Sequence, residues 1–184
     1  MRKGNRRKSS NETTKTSKPE EGKYDEDSYP LVANTRYQDL NQYLENLYTH
    51  NPGSSCYVMQ NKSSLALTIH FGNTHQESIK DLSTILRKDF IEKLYLNSNG
   101  IGGKSISLIT NALSNNETLK SLNLANNPIK DSGATMLATT LNNNTTLNKL
   151  NLSHCEIGDQ GLDAISSALS HNRTEVDPKN RTVC

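Results

Sequence analysis

Leucine and isoleucine recur along the second half of the chain in a pattern that repeats every 28 residues. Three stretches align on one another, namely residues 91–118, 119–146 and 147–174. Each begins with two leucines separated by one residue, which predicts a short strand with one buried face. Each continues with two aliphatic residues four positions apart, which predicts a helix with one buried side. A repeated strand, turn and helix at this period indicates a solenoid, in which each unit buries its apolar face against its neighbours.

The alignment gives a structural role to most apolar residues of the three units. The strand leucines are Leu94 and Leu96, Leu122 and Leu124, and Leu150 and Leu152. The helical pairs are Ile109 and Leu113, Leu137 and Leu141, and Ile165 and Leu169. We predict helices over residues 104–114, 132–142 and 160–170, with Asp131 and Asp159 as N-caps and Gly103 in the matching place. A shared position between strand and helix holds Asn99, Asn127 and Cys155. We expect these side chains to hydrogen-bond the backbone of adjacent turns.

The segments around the three units have less regular patterns. Residues 64–90 indicate a degenerate fourth repeat, with Leu67 and Ile69 on the strand and Ile79, Leu82, Ile85 and Leu86 on the helix. Residues 31–63 predict a helical capping segment, with a helix over 36–49 that begins after Thr35 and includes Tyr37 on its apolar side. Residues 175–184 lack paired leucines, so we predict a tail that leaves the last repeat uncapped, with weak self-association through its apolar edge.

These elements predict an α/β fold. Right-handed crossovers between parallel strands give a right-handed solenoid with an inner parallel sheet, outer helices and a helical N-terminal cap. Only 32% of the residues are hydrophobic, which suits a thin layer of leucines shared between repeats better than a deep globular core.

Charge is concentrated before the repeats. Residues 1–18 carry seven Lys or Arg and one acid, residues 19–27 carry five acids and one Lys, and residues 31–184 carry thirteen of each sign. Residues 1–30 contain one aliphatic side chain, so we predict a disordered charged arm. Residues 2–8 are basic enough for weak contact with nucleic acid or an acidic membrane, and for nuclear import. Without a leader or a membrane-spanning run in this sequence, we expect a cytoplasmic protein.

The repeat pattern resembles a known family. LKSLNLANNPIKDSGATMLATTLNNNTT, from Leu119, has the form L-x-x-L-x-L-x-x-N-x-I followed by a helix and a closing N-x-T. This is similar to the ribonuclease-inhibitor-like class of leucine-rich repeat, found in ribonuclease inhibitor, NOD-like receptors, Ran GTPase-activating protein and tropomodulin. The resemblance covers residues 64–174 and implies recognition of a protein.

Two motifs suggest chemistry that their place in the repeat argues against. Residues 98–105, SNGIGGKS, nearly match a phosphate-binding loop, but Ile101 is in phase with the buried isoleucines of the other units. His154 and Cys155 resemble a base and nucleophile, but the register places Cys155 in the core and His154 outside. We therefore predict no catalytic residue, no cofactor, no metal site and no small-molecule substrate. The N-x-T triplets at Asn116, Asn144 and Asn172 are interpreted as part of the repeat and not as glycosylation sites.

The side chains between the strand leucines are the predicted binding surface, because successive strand residues point to opposite faces. On the concave face we predict contact with a partner protein through Lys93, Tyr95, Asn97, Lys120, Asn123, Lys149, Asn151 and His154. Tyr95 is the expected anchor, since aromatic residues dominate interface energetics. We predict a non-catalytic protein-binding module with a partner of unknown identity. The alternatives are a small-GTPase regulator of the Ran GTPase-activating type and an actin-associated structural protein, both implied by the resemblance.

Overall fold

The computed structural model describes residues 38–50, 53–60, 65–71 and 76–177. The predicted arm of residues 1–30 lies outside this range, as do the predicted N-cap Thr35 and the apolar position Tyr37. None of the helices in the described part of the chain is both long enough and apolar enough to span a bilayer.

The strands form one six-stranded sheet in chain order. They are β1 (Ser55–Gln60), β2 (Leu65–His70), β3 (Ile91–Tyr95), β4 (Ser121–Asn123), β5 (Lys149–Asn151) and β6 (Glu175–Asp177). Strands β2 to β6 are parallel to one another, whereas β1 is antiparallel to β2. One row of the sheet consists of the paired residues Leu67, Leu94, Leu122, Leu150 and Val176. The predicted units are therefore stacked in sequence order.

The helices lie side by side in the same order as the strands. They are α1 (Gln38–His50), α2 (Gln76–Leu86), α3 (Gly103–Leu113), α4 (Lys130–Asn143) and α5 (Asp159–Leu169), and each contacts the next. Their apolar sides and the strand leucines form one continuous core, in which Leu67, Leu94 and Leu122 are at most 1% exposed. The predicted α/β solenoid is confirmed.

A column of asparagines joins consecutive turns, as the sequence predicts. Asn99 accepts a hydrogen bond from the Phe71 amide at 2.7 Å and donates to the Ile69 carbonyl at 2.8 Å. One repeat later, Asn127 accepts from the amides of Asn99 and Ile101, both at 2.9 Å. Cys155, in the third place, donates its thiol to the Leu124 carbonyl at 3.2 Å. These side chains satisfy backbone groups beyond the ends of the short strands.

A second asparagine column lies at the opposite ends of the helices. Asn116, Asn144 and Asn172 each donate to carbonyls of the preceding repeat, for example from Asn144 to the Leu113 carbonyl at 2.8 Å. Their side-chain oxygens accept amides of the residues that lead into the next strand. The N-x-T triplets therefore have a structural role, and Asn116 and Asn144 are too buried to meet a modifying enzyme.

The predicted N-caps are wrong. Helix α4 already begins at Lys130, so Asp131 lies in its first turn, and the N-cap positions of α3 and α5 are Gly102 and Gly158. Asp131 instead binds the start of the next repeat. Its Oδ1 accepts hydrogen bonds from the Gly158 amide at 2.7 Å and the Gly161 amide at 3.1 Å. A carboxylate at a helix N-terminus is favourable, and here it joins two helices.

The capping segment is not only helical. Helix α1 covers Gln38–His50, close to the predicted residues 36–49, and buries Leu40, Tyr43, Leu44 and Leu47. Strand β1 then follows and pairs with β2 along all six of its residues. The sequence prediction missed this strand, because β1 belongs to a hairpin that lies outside the 28-residue period.

The predicted tail also contains a strand that the sequence prediction missed. Ser121 pairs with Lys149, 28 residues later, whereas Lys149 pairs with Glu175, only 26 residues later. Strand β6 therefore begins two residues earlier than the period requires. Val176 takes the place next to Leu150 that the repeat pattern would give to residue 178.

Candidate protein-binding face

The helices cover one face of the sheet and leave the other open, and we call this open face the concave face. Two rows of paired residues cross it. The first row consists of Met59, Ala66, Lys93, Ser121, Lys149 and Glu175. The second includes Thr68, Tyr95, Asn123, Asn151 and Asp177. With strands about 4.8 Å apart, six strands give a face about 24 Å wide.

Five of the eight residues predicted to bind a partner lie in these two rows. They are Lys93, Tyr95, Asn123, Lys149 and Asn151, and all are exposed or half-buried. The other three lie at the margins of the face. Lys120 immediately precedes β4, the half-buried Asn97 follows β3, and the exposed His154 follows β5. The structure thus places five of the predicted residues in two adjacent rows and the other three beside those rows.

Oppositely charged neighbours accompany two of the lysines. Lys120 Nζ lies 3.2 Å from Glu92 Oε1, and Lys149 Nζ lies 3.8 Å from Glu175 Oε2. The side chains of Lys149 and Glu175 are 71% and 77% exposed, so solvent screens their interaction. Such exposed pairs contribute at most about 1 kcal/mol, and a partner can exchange them for its own charges.

The two asparagines of the second row are held by the backbone. Asn123 Oδ1 accepts the Ala125 amide at 3.0 Å, and Asn151 Oδ1 accepts the Ser153 amide at 2.9 Å. Each bond fixes the orientation of the side-chain amide. Because less rotamer freedom is lost when a fixed side chain binds, these positions are partly preorganised for contact.

The N-terminal end of the face contributes residues that the sequence prediction missed. Met59 is 46% exposed on β1, and it is followed in its row by Ala66. Thr68 lies next to Tyr95 in the second row. These residues alternate with the buried Val58 and Leu67. That alternation would have predicted their exposure if β1 had been recognised as a strand. The face is consequently more apolar near β1 and more polar near β6.

The near match to a phosphate-binding loop has a packing explanation. Ile101 is fully buried, and a Cβ atom on Gly102 would lie 2.4 Å from the carbonyl oxygen of Pro128 in the next turn. Glycine is required there because two turns of backbone approach closely. The shape of this loop therefore follows from the packing of Ile101 and Gly102 against the next repeat.

The pair of His154 and Cys155 is separated by the direction of the two side chains. His154 is exposed with φ of 58°, while Cys155 is buried and its thiol donates into the core. Burial also raises the pKa of the Cys155 thiol, which opposes formation of a thiolate. Within residues 38–50, 53–60, 65–71 and 76–177, no group of three His, Cys, Asp or Glu residues could hold a metal ion.

Comparison with known proteins agrees with this geometry. The family model described as "Leucine Rich repeat" matches residues 115–138 and 143–166. These residues are leucine-rich repeats. The repeats are of the ribonuclease-inhibitor-like type that the sequence predicts, with a strand and a helix in each unit. No curated protein sequence matches this chain.

A solved structure shares the fold. The chain titled "Leiomodin-1 Actin-Binding Site 2 (ABS2)" superposes on this chain with a TM-score of 0.56 and 18% sequence identity. The match covers 78% of this chain and 80% of that chain. At this identity the likeness establishes the architecture alone. The repeats and the shared architecture indicate a protein-interaction module.

Proposed function

We propose that this chain is a non-catalytic module that binds a partner protein through the concave face. The observation that carries the proposal is the gathering of Lys93, Tyr95, Asn123, Lys149 and Asn151 in two neighbouring rows. The leucines of the same strands point into the core on the other side of the sheet. The five residues on the concave face therefore have no role in the core. A face rich in amides and amines suits a polar protein surface better than a small apolar ligand.

The two ends of the face suggest how the partner is oriented. Met59, Ala66 and Tyr95 favour apolar contact near β1 and β3, whereas Glu175 and Asp177 favour a basic group near β6. A partner segment that crosses the strands would therefore present apolar side chains at one end and Lys or Arg at the other. Complementary charge also speeds association and selects among partners.

The test compares proteins captured by the wild-type chain with those captured by Tyr95→Ala, using quantitative mass spectrometry. Met136→Ala is a matched control, because Met136 is 39% exposed on helix α4, on the opposite side of the molecule. We expect a set of proteins that the wild type and Met136→Ala retain and that Tyr95→Ala loses at least tenfold. If Met136→Ala alone abolishes capture, the helix side is the binding surface.

Actin is a second candidate partner. The supporting observation is the fold shared with a structure titled as an actin-binding site, over 78% of this chain. Purified filamentous and monomeric actin can be tested by co-sedimentation and by native gel shift. We expect binding that Tyr95→Ala weakens and Met136→Ala does not. Absence of binding to either form would remove actin without affecting the broader proposal.

The small-GTPase regulator stays a prediction that follows from family resemblance. An assay of GTP hydrolysis on candidate GTPases, with and without this chain, would test it directly. Acceleration of hydrolysis would place the chain in a different functional class from the module proposed above.

A further inference from the structure

The centre of the concave face presents hydrogen-bond donors that no group in the described residues accepts. Asn123 and Asn151 are paired in the adjacent strands β4 and β5, and both are half-buried. Their side-chain oxygens accept the amides of Ala125 and Ser153. Their side-chain nitrogens donate to nothing in the part of the chain that the structure describes. Each such nitrogen has two N–H groups, so this pair of residues keeps its donors for a ligand.

The spacing of these two nitrogens suits a carboxylate. Neighbouring strands lie about 4.8 Å apart, and the two side chains are held in the same way. Across a gap of this size, each oxygen of one carboxylate can accept one bond of about 2.9 Å. An ionised carboxylate is an acceptor only, whereas a neutral amide would place its own N–H against one of the asparagine donors.

Positive charge lies beside the two asparagines. Lys93 and Lys149 lie in the neighbouring row, on β3 and β5, and both are exposed. Lys93 has no hydrogen bond or ion pair with any described residue. Lys149 lies 3.8 Å from Glu175, in an exposed pair that a ligand can exchange. Glu92, the one acid on β3, β4 and β5, is paired with Lys120 at 3.2 Å, so an anion is the complementary ligand.

We propose that the centre of the concave face binds a carboxylate side chain, Asp or Glu, of the partner protein. Asn123 and Asn151 donate to its two oxygens, and Lys93 and Lys149 supply the opposite charge. The inference rests on the proposed function and names the residue type that the partner places in the middle of the face. The partner segment then has an apolar part near β1, an acid at the centre and a basic group near β6.

The acidic end of the face favours a single carboxylate over a chain of phosphates. Glu175 and Asp177 lie in the same two rows on β6, next to Lys149 and Asn151. A nucleic acid carries a negative charge on every nucleotide, so a strand that crosses the face would bring phosphates against these acids. A protein segment can place one acid at the centre and a basic residue against β6. Complementarity of this kind selects among partners.

Peptide selection with the full chain tests the proposal. A phage-displayed library of random short peptides is passed over the immobilised wild type. We expect the retained peptides to carry Asp or Glu at one position at least threefold more often than the starting library. One retained peptide is then synthesised twice, with its acid and with the corresponding amide. By fluorescence anisotropy, the amide form should have a Kd at least about fivefold higher, since hydrogen bonds to charged groups are the stronger ones.

Asn123→Asp locates the contact on the chain. The variant keeps an oxygen for the Ala125 amide and replaces the donor nitrogen with a negatively charged acceptor. It should therefore lose the preference and bind both peptides with similar Kd. The matched control, Asn142→Asp, makes the same change at an exposed position of helix α4 and should keep the full preference.

Lys93→Gln tests the same contact without removing a hydrogen bond of the fold. It takes away one charge and leaves the asparagine donors, so it should reduce the preference at least twofold. Its control is Lys104→Gln, since Lys104 is exposed on helix α3, on the other side of the sheet. Thermal denaturation confirms that each variant is folded, and this second pair decides the matter if Asn123→Asp lowers stability.

Two results would overturn this inference alone. They are retention of peptides without enrichment of acids, and a preference for the acidic peptide that Asn123→Asp and Lys93→Gln both leave unchanged. The proposed function stands in either case if Tyr95→Ala still raises the Kd of the retained peptides at least tenfold. If Tyr95→Ala has no effect either, the peptides bind another surface, and the concave face loses its support as well.

Two further results would also contradict the inference. If no peptide is retained, the face does not hold a linear acidic segment, and the capture experiment with Tyr95→Ala decides the proposed function separately. A single-stranded oligonucleotide serves as a second probe. If it binds more tightly than the acidic peptide and Asn123→Asp weakens its binding, the centre of the face binds the phosphates of a nucleic acid.

Discussion

Tyr43 carries a polar group into the buried side of helix α1. Its side chain is 3% exposed, and within the described part of the chain its hydroxyl has no hydrogen-bond partner. An unsatisfied buried polar group costs about 1–3 kcal/mol. Tyr43→Phe should therefore raise the free energy of unfolding by about 1 kcal/mol in urea denaturation. Tyr95→Phe, on the concave face, should change it by less than about 0.5 kcal/mol. A loss of stability in Tyr43→Phe would mean that the hydroxyl has a partner.

The buried thiols predict how stability depends on pH. Burial raises the pKa of the Cys56 thiol well above its ordinary range, so the folded chain keeps this proton at a pH where the unfolded chain releases it. The unfolded thiol has a pKa of about 8.5. The Cys56 contribution is thus fully present below pH of about 8.5 and is lost progressively as the pH rises above that value. Urea denaturation from pH 7 to pH 10 should show a falling free energy of unfolding.

Cys56→Ala separates this effect from other titrations. The substitution lowers stability at every pH because it leaves a small cavity. Its free energy of unfolding should nevertheless fall less steeply between pH 8.5 and pH 10 than that of the wild type. Parallel curves for the two proteins would show that Cys56 ionises as readily in the folded chain as in the unfolded chain.

Single residues were predictable where the 28-residue period exposed their role. Asn99 and Asn127 could be assigned because three units share that place and a polar side chain among leucines requires a partner. The role of Asp131 could not be assigned in this way. A residue that caps its own helix and a residue that accepts amides at the start of the next helix would occupy the same position in the repeat. Only the distances from Asp131 to the Gly158 and Gly161 amides distinguish the two roles.

At the scale of the element, the turn between strand and helix depends on Asn127. Its amide group accepts two backbone amides and donates to the carbonyls of Leu96, Leu124 and Ala125. Asn127→Ala leaves buried backbone groups of two repeats without partners, and should lower the free energy of unfolding by about 4 kcal/mol. The exposed Asn148→Ala should change it by less than about 0.5 kcal/mol. Similar values for both variants would disprove a special role for the column.

Two elements were missed for different physical reasons. Strand β1 has the alternation of a strand, with Cys56 and Val58 buried, but no counterpart elsewhere in the chain against which it could be aligned. Strand β6 does have counterparts, and it was missed because it begins two residues early. A fixed period cannot reveal a shortened unit, although Val176 is a good strand former.

At the scale of the whole molecule, the N-terminal cap should control the stability of distant repeats. Each repeat contacts only its neighbours, so a loss of stability in one repeat reaches the next through the interface that they share. Leu44 is 1% exposed in α1, and Leu44→Ala should lower the free energy of unfolding by about 3 kcal/mol. Hydrogen exchange should show faster opening of α2 and, if the arc unfolds as one unit, of α5 as well.

The control for this prediction is Leu169→Ala at the other end of the arc. Leu169 is half-buried, so its loss should cost less than that of Leu44. If Leu44→Ala accelerates exchange in α1 and α2 alone, the cap and the distant repeats unfold separately.

The concave face was predictable as a surface and less so in its composition. Alternation along β3, β4 and β5 placed Lys93, Tyr95 and Asn151 correctly on the face opposite the core. The apolar contribution of Met59 was not predictable, because it depends on an antiparallel strand at the edge of an otherwise parallel sheet.

The two asparagine columns constrain how such a chain can change in length. Each amide side chain meets backbone groups of the unit before it, about 28 residues earlier in the chain. An insertion of a few residues inside a turn would shift one column against the other and break several of these bonds at once. Gain or loss of a whole unit would keep both columns in phase, so a change in the width of the concave face requires complete turns.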